Sequence, residues 1–216
     1  MNKILITFLI ASFVLPLTLR AHQPRLVDDS SSETVQIKNP EVSQAFYATL
    51  AGKEDTYTLS SDTDFLLLVE LITPVIEGKE PGVFTVEVVD RDTGNVYLTG
   101  TTSPEGSIFY EPFAGDEYIE GPKVEQQAPA GTYDIRVEGD EEKKYVLVVG
   151  KRECFPFDEI INTYKSLPSL KMDYFEKPFY TIFTNPTGGG LLVVMIIAGL
   201  LVFAIFKFVK RRKNNS

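Results

Sequence analysis

Residues 191–206, LLVVMIIAGLLVFAIF, pass without a charge and are followed at once by Lys207, Lys210, Arg211, Arg212 and Lys213. Counted through Val209, with Lys207 reaching outward along its aliphatic stem, the run makes about 28 Å of helix, close to the thickness of a bilayer's hydrocarbon core. A helix buried in a soluble domain carries a polar stripe and rarely abuts five cations. The stretch 191–209 therefore reads as a transmembrane helix, and 210–216 as a basic tail. Five bases with no acid among them put that tail in the cytoplasm. The bulk of the chain then belongs on the extracytoplasmic side, in the cell membrane, with the bilayer as its first partner.

The other end supports the same topology. Residues 1–21 begin with Lys3, continue as an apolar run broken at Pro16 and reach Ala21, the pattern of a secretory signal. An uncleaved anchor would deliver the middle of the chain to the same side. All 30 acids lie between Asp28 and Glu176, and 14 of the 21 bases between Arg25 and Lys177, so the middle of the chain, from Arg25 to Lys177, carries −16. Such a charge repels phosphate backbones, and nucleic acid is excluded as a partner on that ground. The single cysteine, Cys154, allows no intrachain disulfide, so packing alone must hold the domain.

Residues 22–34, centred on Asp28-Asp29-Ser30-Ser31-Ser32-Glu33, are polar and read as a flexible leader. From residue 35 the apolar period becomes two. The runs 44–50 (QAFYATL) and 55–60 (DTYTLS) flank Ala51-Gly52-Lys53-Glu54 as a hairpin would. Residues 64–72 (DFLLLVELI) are apolar enough for a strand buried on both faces. Residues 82–89 (GVFTVEVV) alternate and meet the turn Asp90-Arg91-Asp92-Thr93-Gly94-Asn95; 96–99 and 107–110 are shorter strands. Residues 131–137 (GTYDIRV) and 144–149 (KYVLVV) form a second apparent hairpin. Short strands with frequent turns and no helical period predict an antiparallel β-sandwich over 35–150.

Residues 151–190 form a juxtamembrane connector. Ile160, Ile161, Tyr164 and Leu167 share one helical face, and Pro168 is expected to end that helix. Tyr174, Phe175, Phe179, Tyr180 and Phe183 suit a membrane interface, or the base of the sandwich. Residues 185–190 (NPTGGG) predict a flexible joint.

Chemistry is sparse. The only histidine, His22, falls in the leader, which removes Ser-His-Asp and Cys-His catalysis. No phosphate-binding glycine loop, nucleophile elbow or zinc-spaced set occurs, so no catalytic residue is assigned and the chain is read as no enzyme. No cofactor is implied. Calcium is the one metal the acids could take, from Asp90 and Asp92 in one loop and Asp116, Glu117 and Glu120 in another. The second loop also carries Tyr110, Glu111, Phe113 and Tyr118, the best sequence guess at a recognition surface.

Ala130-Gly131-Thr132-Tyr133-Asp134-Ile135-Arg136-Val137, a polar turn, then Tyr145-Val146-Leu147-Val148-Val149 resembles the closing strands of bacterial pre-peptidase C-terminal-type domains. Asp55-Thr56-Tyr57-Thr58-Leu59 and the strand at Phe65 are similar to their opening. The resemblance spans about 35–150 and implies a jelly-roll-like accessory module, commonly attached to secreted hydrolases and sometimes binding calcium. No binding residue follows from it. The function expected is a membrane-anchored binding or accessory module with an acidic surface. Alternatives are a structural subunit of a larger envelope complex, partnered by another membrane protein, and a metal-dependent hydrolase using the acidic loops.

Overall fold

A computed structural model describes residues 22–27, 34–112 and 114–214. The signal at 1–21, the leader's acidic centre at 28–33 and Phe113 lie outside the described residues. The described chain is mainly β, with two sheets and one C-terminal apolar helix.

The larger sheet runs β1 (Gln23–Leu26), β3 (Gln44–Thr49), β12 (Lys144–Val149), β5 (Phe65–Pro74), β9 (Asp116–Ile119), β8 (Ile108–Glu111), with β10 (Lys123–Ala128) also paired to β5. The smaller runs β2 (Val35–Ile37), β4 (Glu54–Ser61), β11 (Gly131–Gly139), β6 (Phe84–Asp90), β7 (Val96–Thr101). Pairing is antiparallel except for β1 on β3 and β2 on β4, which are parallel.

Alternation decides which side chains meet between the sheets. Val86 and Val88 from β6, Tyr133, Ile135 and Val137 from β11, and Tyr145, Leu147 and Val149 from β12 are all fully buried there. Three polar tips inside this core satisfy one another: the Tyr145 hydroxyl donates to Asp55 Oδ2 at 2.7 Å and lies 2.8 Å from the Tyr57 hydroxyl. Burial pushes the Tyr145 phenol far above its ordinary pKa, so it stays a neutral donor.

Both apparent hairpins are in fact arches between sheets. β3 pairs with β12 and β4 with β11, so residues 50–53 and 140–143 each carry the chain from one sheet to the other. A period of two tells which side chains face the core, and a hairpin and an arch bury the same ones.

β5 is buried on both faces, as its composition requires. Phe65, Leu67, Val69 and Leu71 enter the inter-sheet core, while Leu68 and Ile72 join a second cluster on the outer face of the larger sheet. Its edge is shared: residues 65–70 pair with β10 and residues 73–74 with β9. Between these partners Gly121-Pro122 passes so close that a Cβ on Gly121 would sit 2.1 Å from the Leu71 carbonyl oxygen. The acidic stretch 116–120, read as loop, is thus largely strand.

The leader begins as structure. β1 bonds alongside β3, and Gln23 Nε2 donates to the Cys154 carbonyl. Downstream, α1 (Phe157–Ser169) outlasts Pro168 and passes into a π-helical turn, Leu170–Tyr174, closed by Phe175 N–H onto the Leu170 carbonyl. A 3-10 turn, Phe179–Phe183, leads to the apolar helix α2, Pro186–Asn214. The expected flexible joint is instead the first turn of α2. Asn185 Oδ1 accepts from Gly188 N–H at 2.9 Å, with Pro186 at the first helical position. Asn185 Nδ2 also donates to the carbonyls of Thr181 and Ile182, tying helix to turn.

Gly188 is where they touch: a Cβ there would lie 1.4 Å from the Ile182 carbonyl oxygen. Gly188→Ala should destabilise the detergent-solubilised full-length chain by roughly 1–3 kcal/mol in urea unfolding, as overpacking does. Gly199→Ala, with nothing within 4 Å, should leave the midpoint unchanged.

Candidate binding site

The outer face of the larger sheet forms the floor of a groove of about 500 Å³. Leu68, Glu70 and Ile72 of β5 and Val148 of β12 make that floor; Phe109, Tyr110, Glu111 and Pro112 make one wall, and His22 with Gly150, Lys151 and Glu153 the opposite side. The volume falls within the range of small-molecule and peptide clefts. A narrower apolar slot under α1 shares His22, Ile72, Phe109, Glu111 and Val148 with it and reaches Thr187 at the start of α2. The rim is ionic. Glu70 pairs with Lys123 at 3.3 Å and Glu125 with Lys151, while Glu111, Glu120 and Glu153 add negative charge. His22 Nδ1 lies 2.6 Å from Ser43 Oγ, which fixes the imidazole at the groove's edge.

Of the sequence-predicted recognition residues, Tyr110 and Glu111 stand on the groove wall. Tyr110 is 57% exposed. Glu111 Oε2 accepts from the Ala114 N–H at 2.7 Å, holding the end of the β8–β9 hairpin. Tyr118 is a support and not a surface: it is buried, its ring stacks on Phe109 at 5.5 Å, and its hydroxyl lies 3.3 Å from that of Tyr47. Burial raises both phenols well above the ordinary tyrosine value. Phe113 is not among the described residues.

The calcium candidates fall into two separate places. Asp90 is buried at the β6–β7 turn, where its Oδ1 accepts from the N–H groups of Asp92 and Thr93 at 2.8 and 3.1 Å. The Thr93 side chain first, and these backbone bonds after it, hold its carboxyl below its ordinary pKa against the effect of burial. This is the job of an Asx turn. Asp92 is exposed beside it. On the other sheet, Glu117 and Glu120 are exposed, and Glu120 lines the groove. Asp116 is fully buried and engaged by two lysines: Lys171 Nζ donates to Oδ2 at 2.6 Å and Lys177 Nζ to Oδ1 at 2.8 Å. Among the described residues no three His, Cys, Asp or Glu side chains converge to hold an ion.

Those lysines are what sequence reasoning missed. Lys171 is 1% exposed, donates also to the Ala114 carbonyl, and sits 5.6 Å above the Phe175 ring. Burial lowers its pKa, with Asp116 opposing. A second ionic knot lies nearby: Glu176, in the left-handed region at φ 56°, binds both Lys144 and Lys79. Lys144 first and Lys79 second pull its carboxyl down to about 2. Lys144 Nζ also donates to the Tyr174 carbonyl at 2.7 Å, and Tyr174 Oη donates to the Tyr145 carbonyl at 2.6 Å. Two of the five juxtamembrane aromatics, Tyr174 and Phe175, are therefore buried against the sandwich, whereas Phe179 and Tyr180 are exposed. A lysine that ends up buried carries no local mark in SLKMDYFEK, so only the tertiary fold identifies it.

No family model matches the chain, and no curated protein matches it. Among solved structures, the pre-peptidase C-terminal domain of collagenase from Bacillus anthracis is similar at 10% identity, covering 61% of this chain and 96% of that one, with a TM-score of 0.32. The catalytic domain of a GH87 alpha-1,3-glucanase is similar at 17% identity over 51% of this chain, which spans 22% of the glucanase chain, with a TM-score of 0.26. The resemblance to the pre-peptidase C-terminal domain is weak, and nothing about ligand or activity transfers from either protein.

Asp116→Asn leaves Lys171 buried without its counter-ion and should cost roughly 3–5 kcal/mol in chemical denaturation. Pairing Asp116→Leu with Lys171→Met should recover most of that loss. The Glu176 knot predicts a pH effect of definite sign. A carboxyl whose folded pKa lies below its unfolded value adds stability above the unfolded pKa and loses it as pH falls toward the folded one. The wild type should therefore lose its advantage over Glu176→Gln as pH drops from the ordinary glutamate range toward about 2. Glu176 and Lys79 are substantially exposed, so the gap at neutral pH should not exceed about 1 kcal/mol.

Proposed function

We propose that this chain is a membrane-anchored binding module. In this reading α2 crosses the bilayer, the sandwich is displayed extracytoplasmically behind a secretory signal, and the basic end of α2 lies in the cytoplasm. The groove on the outer face of the larger sheet takes the ligand. The observation that carries it is the coincidence of a groove of about 500 Å³ with a helix long and apolar enough to span a membrane. A floor in which Leu68, Ile72 and Val148 surround Glu70, with a lining richer in carboxylates than in bases, suits a ligand that is partly apolar and positively charged. In this reading the chain binds and does not catalyse. Two further supports are the five bases that follow the apolar run and the −16 charge of the segment from Arg25 to Lys177.

A photo-reactive phenylalanine analogue at Tyr110, in the full-length chain in intact membranes, should give discrete adducts on irradiation. The same analogue at Val96, exposed on the smaller sheet, should not. Equal labelling from both positions would remove the groove as the binding site. Adducts that are all integral membrane proteins of fixed stoichiometry would identify a subunit of an envelope complex. A protease added outside sealed cells should cut within the sandwich and spare the basic tail; the reverse pattern would overturn the topology.

A further inference from the structure

Helix α1 has one broad apolar face, and only one edge of it is covered. Leu167 is buried against the larger sheet, and Thr163 and Leu167 line the slot beneath the helix. On the rest of that face Phe157, Ile160 and Ile161 are exposed, at 78%, 40% and 39%. The helix cannot roll to hide them. Glu159, on the opposite side, is clamped by both guanidinium nitrogens of Arg25 at 2.9 Å, and Leu167 is already seated. The exposed stripe ends at Tyr164, whose hydroxyl would be 3.4 Å from a Cβ on Gly190 of α2. Its apolar surface is thus continuous with that of the apolar helix. Beside that helix's first turn, Phe179 and Tyr180 are also exposed, at 62% and 65%.

We propose that Phe157, Ile160 and Ile161 of α1, together with Phe179 and Tyr180, rest in the headgroup–acyl boundary of the bilayer that α2 crosses. The sandwich is then laid down on the membrane by a second, interfacial contact, with its groove at a fixed height above the lipid. This rests on the reading of α2 as a membrane span. Lipid is the occupant because the patch runs into the apolar helix without a polar break, and because aliphatic side chains beside exposed Phe and Tyr have the composition of interfacial anchors.

The chain contains no tryptophan, so single-tryptophan variants report one position each. Full-length Phe157→Trp, Phe179→Trp, Leu200→Trp and Val96→Trp are reconstituted in phosphatidylcholine vesicles with bromines either near the glycerol end of the acyl chains or near their methyl end. Leu200→Trp should lose emission most to the deep bromines. Phe157→Trp and Phe179→Trp should be quenched strongly by the shallow bromines and weakly by the deep ones, and Val96→Trp by neither. Quenching at Leu200 without quenching at Phe157 and Phe179 would overturn the interfacial contact while leaving the span intact, and would point to a protein or a second copy covering the stripe. No quenching at Leu200 would overturn the span itself, and the interfacial contact with it.

Discussion

The carboxylate of Asp116 is fully buried, and the ammonium group of Lys171 is buried with it. Taking both ions out of water costs several kcal/mol each, so the pair persists only where geometry and further hydrogen bonds compensate. Here they do. Lys177 satisfies the second carboxylate oxygen, the Ala114 carbonyl takes another Lys171 proton, and the Phe175 ring faces both cations, at 5.6 and 5.3 Å. The sandwich, through β9, and the juxtamembrane segment, through the π-helical turn, are bound to one another at the point where separation would expose a naked charge. Glu176 with Lys79 and Lys144, and Arg25 with Glu159, repeat the link nearer the solvent.

The groove depends on that link. Its aromatic wall belongs to the β8–β9 hairpin, which holds the larger sheet through only two residue pairs with β5. A hairpin so lightly paired needs other support. Tyr118 supplies it from within, wedged between Phe109 and Phe175 with its hydroxyl beside that of Tyr47. Asp116 supplies it from below. The floor is likewise shared, since Leu68, Ile72 and Val148 belong to or adjoin the cluster that Leu170, Tyr174 and Phe175 cover. Removing the juxtamembrane segment would uncover the back of the groove as well as free the domain.

Much of the fold was legible in the residues alone, because alternation is a local property. Tyr133, Ile135 and Val137 announce an inward face, and the apolar run at 64–72 announces a strand covered on both sides. Partner choice is not local: residues 131–137 and 144–149 look like a hairpin and are adjacent strands of different sheets. The acidic stretch at 116–120 reads as loop because charge dominates it and glycines flank it, yet Asp116 and Tyr118 are buried on a strand and Glu117 is exposed. That Tyr110 and Glu111 lie together on an open wall follows from their place near a turn, where an aromatic beside an acid is visible as such. Lys171 and Lys177 were not found, because a lysine's partner is decided by chain segments some sixty positions away.

The glycines at 188–190 show the same limit from the other side. Three in a row before a membrane segment read as a hinge, since glycine frees the backbone. Glycine also removes a side chain, and at position 188 that is the property used. With Asn185 capping the helix and bonding the preceding turn, and with the Ile182 carbonyl seated where a Cβ would be, α2 starts in contact with the segment that the sandwich already holds. A free hinge would let the groove sample every tilt above the lipid. A contact made of one missing methyl group, a capped helix and two ionic knots ties the direction in which the groove faces to the direction of the helix, and packing rather than linker length decides it.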